Sequence, residues 1–311
     1  MVNFRFHLVS LTAVFLALAV GIGLGATVVD QATVEALQRR LDGVSQRVDR
    51  TDAENERLRG DLGRWTAFAE EASNESMEGR LTDVPVVVVS VQGTERAPVE
   101  ALQASLVAAG ARYQATLWLT SKWRLNKPED TVALAGVLGA TSQAPDAVRG
   151  TAMARVAASL GGAPAPALLG SLRDAAFLDA EAPAGDAAAL AGVSSPETLF
   201  VVVSSAEAEV PNEALAVPLA SQLARVARGR VLAAEPGREP QGRDQPGQRA
   251  LFVGPLREDA TVSALLSTVD NLEDFRGRFA TVYALRDLGR GKAGHFGVGP
   301  RATSLVPEAA S

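Results

Sequence analysis

The fold is decided by residues 84–119, VPVVVVSVQGTERAPVEALQASLVAAGARYQATLWL. Val84 to Val91 is an apolar, β-branched run broken only by Pro85 and Ser90. β-Branched side chains fit a pleated sheet, and a near-continuous apolar run fits a strand buried on both faces. Pro98 to Ala109 has helical character and stops at Gly110. Arg112 to Leu119 then reads as a second strand. Strand, helix, strand in that order is a β-α-β unit, which makes the two strands parallel with a right-handed crossover.

Working outward, strand and helix patterns continue to alternate. Residues 128–138 and 147–160 read as helices, and 167–178 as a further helix within an Ala-, Gly- and Pro-rich stretch from 161 to 191. Strands are expected at 198–204, 230–234, 250–253 and 279–285, and helices at 212–226, with Pro218 near its centre, and 259–266. Residues 235–248 read as a polar loop. The alternation predicts an α/β layered domain with a mainly parallel sheet.

Towards the N-terminus the pattern changes twice. Leu8 to Val29 holds no charged residue over 22 positions, with Arg5 and His7 before it and Asp30 after it. As a helix this run covers about 30 Å, the thickness of a bilayer core. Basic flanks stay on the cytoplasmic side, so the N-terminus is expected inside and the bulk of the chain outside. A cleaved signal peptide is the alternative, with Gly23 and Gly25 near its cleavage site. The length of the run and the helical pattern beyond it favour an anchor. Ala17, Gly21 and Gly25 recur at every fourth position, the spacing that lets two membrane helices approach closely.

From Val34 the apolar residues fall at steps of three and four. Val34, Leu41, Val48, Asn55, Leu62 and Ala69 take the a positions of a heptad, and Leu37, Val44, Thr51, Leu58 and Trp65 the d positions. A seam of this period predicts a parallel, two-stranded coiled coil, with Asn55 fixing register. Its expected interface is Val34, Leu37, Leu41, Val44, Val48, Asn55, Leu58, Leu62 and Trp65. The alternative is an amphipathic helix packed on the chain's own globular part. The organisation predicted is therefore a transmembrane anchor over 1–30, a coiled-coil stalk over 31–72, a linker over 73–83 and the α/β domain over 84–311.

Composition limits the chemistry. The 311 residues are 47% apolar and carry 36 acidic against 30 basic groups, a net charge of −6. That is enough apolar surface for a core, and the wrong charge for a nucleic-acid binder. With no cysteine and two histidines, disulfides, zinc fingers and thiolate metal sites are excluded. Gly289, Gly291 and Gly294 match G-x-G-x-x-G but lie near the end of the chain, away from the first strand-to-helix turn that a dinucleotide site needs. No G-x-S-x-G occurs, and with His7 at the membrane only His295 is available outside it, so a hydrolase triad is unsupported. A soft metal would find only Met77, Met153 and His295 as ligands beyond the anchor. No enzyme activity and no bound cofactor are expected, and His295 reads as a turn residue. These features fit an adaptor: a dimer that presents its α/β domain to an envelope partner in wall remodelling or cell separation.

Both ends of the chain carry a resemblance. Residues 6–21, FHLVSLTAVFLALAVG, resemble the start of the MctB family. So do Ser267-Thr268-Val269-Asp270-Asn271, Tyr283-Ala284-Leu285-Arg286-Asp287-Leu288 and Gly294-His295-Phe296-Gly297-Val298-Gly299 at the other end. The resemblance implies copper transport at an actinobacterial cell envelope. It brings no ligand residues with it. A membrane β-barrel, which needs repeated strands of about 9–11 residues, does not match the helix–strand alternation.

Overall fold

The computed structural model describes residues 4–141, 144–162, 166–183, 193, 195–237 and 250–308. The chain divides into two compact units, residues 1–68 and 69–311.

The first unit is one helix. Helix α1, Phe4–Met77, begins here and continues for nine residues into the second unit. Its first part, Phe4–Gly25, has a mean hydropathy of 2.3 and no buried residue, and is long and apolar enough to cross a membrane.

The second unit is built on a seven-stranded sheet of order β3-β2-β1-β4-β5-β6-β7. Strands β1 (Pro85–Val91) and β2 (Arg112–Leu119) flank helix α2 (Arg96–Ala108), as residues 84–119 predict. Gly110 ends the crossover with φ +81°, and a Cβ there would lie 3.3 Å from Thr82 Cα, so a side chain would be strained in both respects. Helices α3 (Pro128–Leu138), α4 (Pro145–Leu160) and α5 (Pro166–Asp174) follow, then β3 (Leu178–Glu181) and β4 (Leu199–Val203). Strand β3 pairs antiparallel with β2; the other pairings are parallel. Helix α6 (Ala216–Val226) leads to β5 (Val231–Ala234). Pro218 falls in the first turn of α6, where an N–H has no intrahelical acceptor, so the helix begins at 216 and not at 212.

The C-terminal part departs from expectation. Residues 250–253 do not form a strand: they lead into helix α7 (Val253–Glu258). The helix expected over 259–266 is cut to α8 (Ala260–Ser263), capped by the Asp259 carboxylate on the Thr261 and Val262 N–H groups. Leu266 then opens β6 (Leu266–Val269). Residues 279–285 are not a strand but the middle of helix α9 (Phe275–Leu288), which Asp274 caps. Gly277, Ala280, Thr281, Ala284, Leu285 and Leu288 are buried at helical spacing, so the 3.6-residue period governs the β-branched Thr281-Val282 pair. Strand β7 (His295–Phe296) closes the sheet, placing His295 in a strand and not a turn. Of the loop expected over 235–248, residues 238–248 lie outside the described residues.

Alternation along the strands feeds two layers. Val87, Val89, Leu117, Phe200 and Val202 face α3, α4 and α6. Val86, Val88, Val201, Leu232 and Val269 face α2 and α9. Met77 and Leu81, from the stretch expected to be a polar linker, are buried in this second layer. Tyr283 Oη lies 2.7 Å from Ser76 Oγ and donates to Ser76 O, which ties the last turn of α1 to α9.

Candidate functional site

In an open parallel sheet, ligands sit outside the carboxyl ends of the two central strands from which the chain winds in opposite directions. Here those strands are β1 and β4. The chain itself fills that place. A Cβ on Gly93 (φ +95°) would lie 2.5 Å from Glu207 O and 2.6 Å from Glu209 N, and Glu209 N–H donates to Gln92 O at 2.7 Å. Ser204 Oγ donates to Asn212 Oδ1, and Asn212 Nδ2 to Ser205 O, so the end of β4 is tied to its own loop.

Polar groups gather instead at the carboxyl ends of β5, β6 and β7. The side chains of Arg257 on α7 and Asp270 after β6 are both fully buried, with Nη1 2.6 Å from Oδ2. Arg257 also donates through Nε to Thr268 Oγ1, through Nη1 to Pro300 O and through Nη2 to Phe296 O. Asp270 accepts the Val298 N–H at 2.7 Å and the Gly299 N–H at 2.9 Å. A Cβ on Gly299 would stand 2.8 Å from Asp270 Oδ2, so only glycine lets the tail come this close. Glu235, after β5, accepts the N–H groups of Leu251, Phe252 and Val253, capping the start of α7 from a distance in sequence. Burial pushes its carboxyl above the ordinary range, against the pull of those N–H groups and with help from the Asp270 charge.

His295 Nδ1 lies 3.0 Å from Thr268 Oγ1. Burial and then the Arg257 cation hold the imidazole below its ordinary value. A cation would meet repulsion from Arg257 there. Among the described residues, no group of three or more His, Asp or Glu is placed to hold a metal ion. The G-x-G-x-x-G glycines follow a helix: Gly289 caps α9, Gly291 turns the chain with φ +77°, and Gly294 faces the Phe296 ring. Glu258 and Asp259 are exposed, Asp259 capping α8, while Glu273 and Asp274 are half-buried, Glu273 accepting the Gly237 N–H and Asp274 the Arg276 N–H.

The residues singled out on α1 lie in the first unit. Val34, Leu37, Leu41, Val44, Val48, Leu58, Leu62 and Trp65 are between 48% and 69% exposed. Asn55 is exposed among them, as are Ala17, Gly21 and Gly25.

A family model described as "Copper transport outer membrane protein, MctB" matches residues 1–307. The chain belongs to the MctB family. The copper transporter MctB of Mycobacterium tuberculosis (strain H37Rv) is 28% identical over 325 residues, covering 98% of this chain and 99% of that protein. The copper transporter MctB of Mycobacterium leprae is 26% identical over 336 residues, covering 99% and 100%. The family's description is of a transport protein and not of an enzyme. In this MctB chain, the C-terminal motif residues Thr268, Asp270, His295, Phe296, Gly297 and Gly299 close the tail onto the sheet. Glu235 and Arg257 complete that closure and were not evident from sequence, because nothing local marks a buried arginine or a carboxylate that caps a helix sixteen residues away.

Proposed function

We propose that this chain is a membrane-anchored protein of the cell envelope that takes part in copper transport and copper homeostasis. The observation that carries the reading is the family match across residues 1–307. The apolar helix Phe4–Gly25 supports a single anchor, with the N-terminus cytoplasmic and the α/β domain outside. The exposed heptad seam supports a parallel homodimer, with Ala17, Gly21 and Gly25 packing the membrane helices. The test is deletion of the gene under copper challenge. Cell-associated copper rises and falls again when the gene is restored; unchanged copper refutes the role.

A second reading, favoured by the engaged His295 and by the missing three-ligand group among the described residues, is a non-catalytic adaptor. The dimer then presents its α/β domain to an envelope protein and governs wall remodelling or cell separation without holding copper itself. Copper titration of the purified full chain separates the two. Tight stoichiometric binding refutes the adaptor reading. No binding, together with septation defects and unchanged copper on deletion, supports it.

A further inference from the structure

We infer that the charges flanking the α1 seam set the register and direction in which a second copy of this chain docks. The inference rests on the proposed dimer and adds which alignment it takes. With Val34 at a, the g positions include Arg47 and Glu54, and the e positions Asp52 and Arg59. All four are exposed. Among the described residues none of them has an ion pair within the chain, whereas Glu35–Arg39 and Arg57–Asp61–Arg64 pair along the helix.

In a parallel coiled coil, a g residue of one strand faces the e residue five positions on in the other. In register, Arg47 faces Asp52 and Glu54 faces Arg59, and symmetry makes each contact twice. The four contacts are attractive. A stagger of one heptad puts Arg47 against Arg59 on one side and Glu54 against Asp52 on the other. Two repulsions then offset the two attractions that this stagger makes, Arg40 with Asp52 and Asp61 with Arg59. Only the in-register alignment also sets Asn55 against its twin, so that each buried amide finds a partner; in an antiparallel pair, a positions face d positions instead. The apolar seam supplies the attraction between strands, and the flanking charges choose among alignments that would bury the same apolar residues.

The experiment uses the full chain in detergent micelles. One variant reverses the g charges (Arg47→Glu with Glu54→Arg), a second the e charges (Asp52→Lys with Arg59→Glu). Each alone faces like charges at all four contacts. Mixed, every g charge again faces its opposite. With the two co-expressed under different tags and weighed by native mass spectrometry, the ratio of mixed dimer to the two homodimers should exceed its statistical value by about tenfold. A statistical mixture of dimers overturns the alignment and leaves the dimer standing. A wild-type chain that is monomeric overturns the dimer as well. The absence of cysteine gives an independent check: Asn55→Cys should crosslink on oxidation, since in-register a positions bring two Cβ atoms within reach of a disulfide. No crosslink in a proven dimer overturns the alignment.

Discussion

Replacing Arg257 by methionine tests whether the Arg257–Asp270 pair holds the C-terminal tail on the sheet. The change keeps most of the side-chain volume and removes four hydrogen bonds, to Thr268, Asp270, Pro300 and Phe296. Asp270 stays behind, fully buried. Removing one partner of a buried pair costs about 3–5 kcal/mol, mostly through the charge left uncompensated. Asp270 keeps the Val298 and Gly299 N–H groups, so the low end, about 3 kcal/mol, is expected. With a urea dependence of about 2 kcal/mol per molar, the unfolding midpoint should fall by about 1.5 M. The assay is urea unfolding of the full chain in micelles, followed by tryptophan fluorescence. Trp123 is 1% exposed, with its Nε1 donating to Phe177 O, and reports the core of the second unit. Asp270→Asn should cost a similar amount by stranding the guanidinium. The double variant should cost well under the sum, because it strands no charge. A midpoint shift below about 0.3 M for Arg257→Met, or additive single costs, would refute the reasoning.

Two glycines in helices should respond with opposite signs to the same change. Gly136→Ala in α3 meets nothing within 4 Å and should stabilise by about 1 kcal/mol, whereas Gly277→Ala in α9 drives a methyl into the Asn271 carbonyl and should raise the fraction unfolded at any urea concentration. His295 titrates below its ordinary value of 6.5 in the folded chain. Its contribution is therefore present above about pH 6.5 and is lost as the pH falls, because the unfolded chain takes up the proton first. The urea midpoint of wild type minus that of His295→Gln should decline from pH 7.5 to 5.5; a flat difference counts against the burial of the ring. Glu235, raised by burial, acts with the opposite sign, so only such a difference isolates the histidine.

Legibility in the sequence followed the range of the interactions. The first β-α-β unit was readable because its signals are local: a valine run, an apolar helix face and a glycine at the turn. The C-terminal third was not. Residues 250–253 look like a strand until the Glu235 carboxylate takes their N–H groups, and no window around 250 contains Glu235. Phe279–Leu285 is a short apolar run in which strand and helix patterns cannot be told apart, and the Asp274 cap and buried Leu288 decide it only when the window is widened. Strand β7 is two residues, too short for a period to register, and β3 (Leu178–Glu181) and β6 (Leu266–Val269) carry polar residues that break the apolar run by which the equally short β5 was read. On α1 the heptad is plain, because a helix repeats its signal many times. On the proposed reading the seam packs on a second chain, a contact that the single chain, where the seam is exposed, does not hold.

Within the C-terminal motif that carries the family resemblance, Asp270 and His295 are already engaged by the fold, whereas the buried Asn271 side-chain amide has no hydrogen-bond partner among the described residues. Asp270 is engaged by Arg257 and two tail N–H groups, and the His295 ring by Thr268. A soft cation approaching His295 would meet repulsion from the buried Arg257 guanidinium. On the proposed reading, the copper phenotype therefore depends on what a second chain or an envelope partner adds, and the sensitive residues lie on α1. Leu41→Glu with Leu58→Glu places charges at an a and a d position, where the seam excludes water, and should abolish dimers and fail to restore copper handling to a deletion strain. His295→Gln should restore it. Loss of function in His295→Gln with unchanged folding, or full function in a proven monomer of the seam variant, would move the copper-handling step from the helix to the α/β domain.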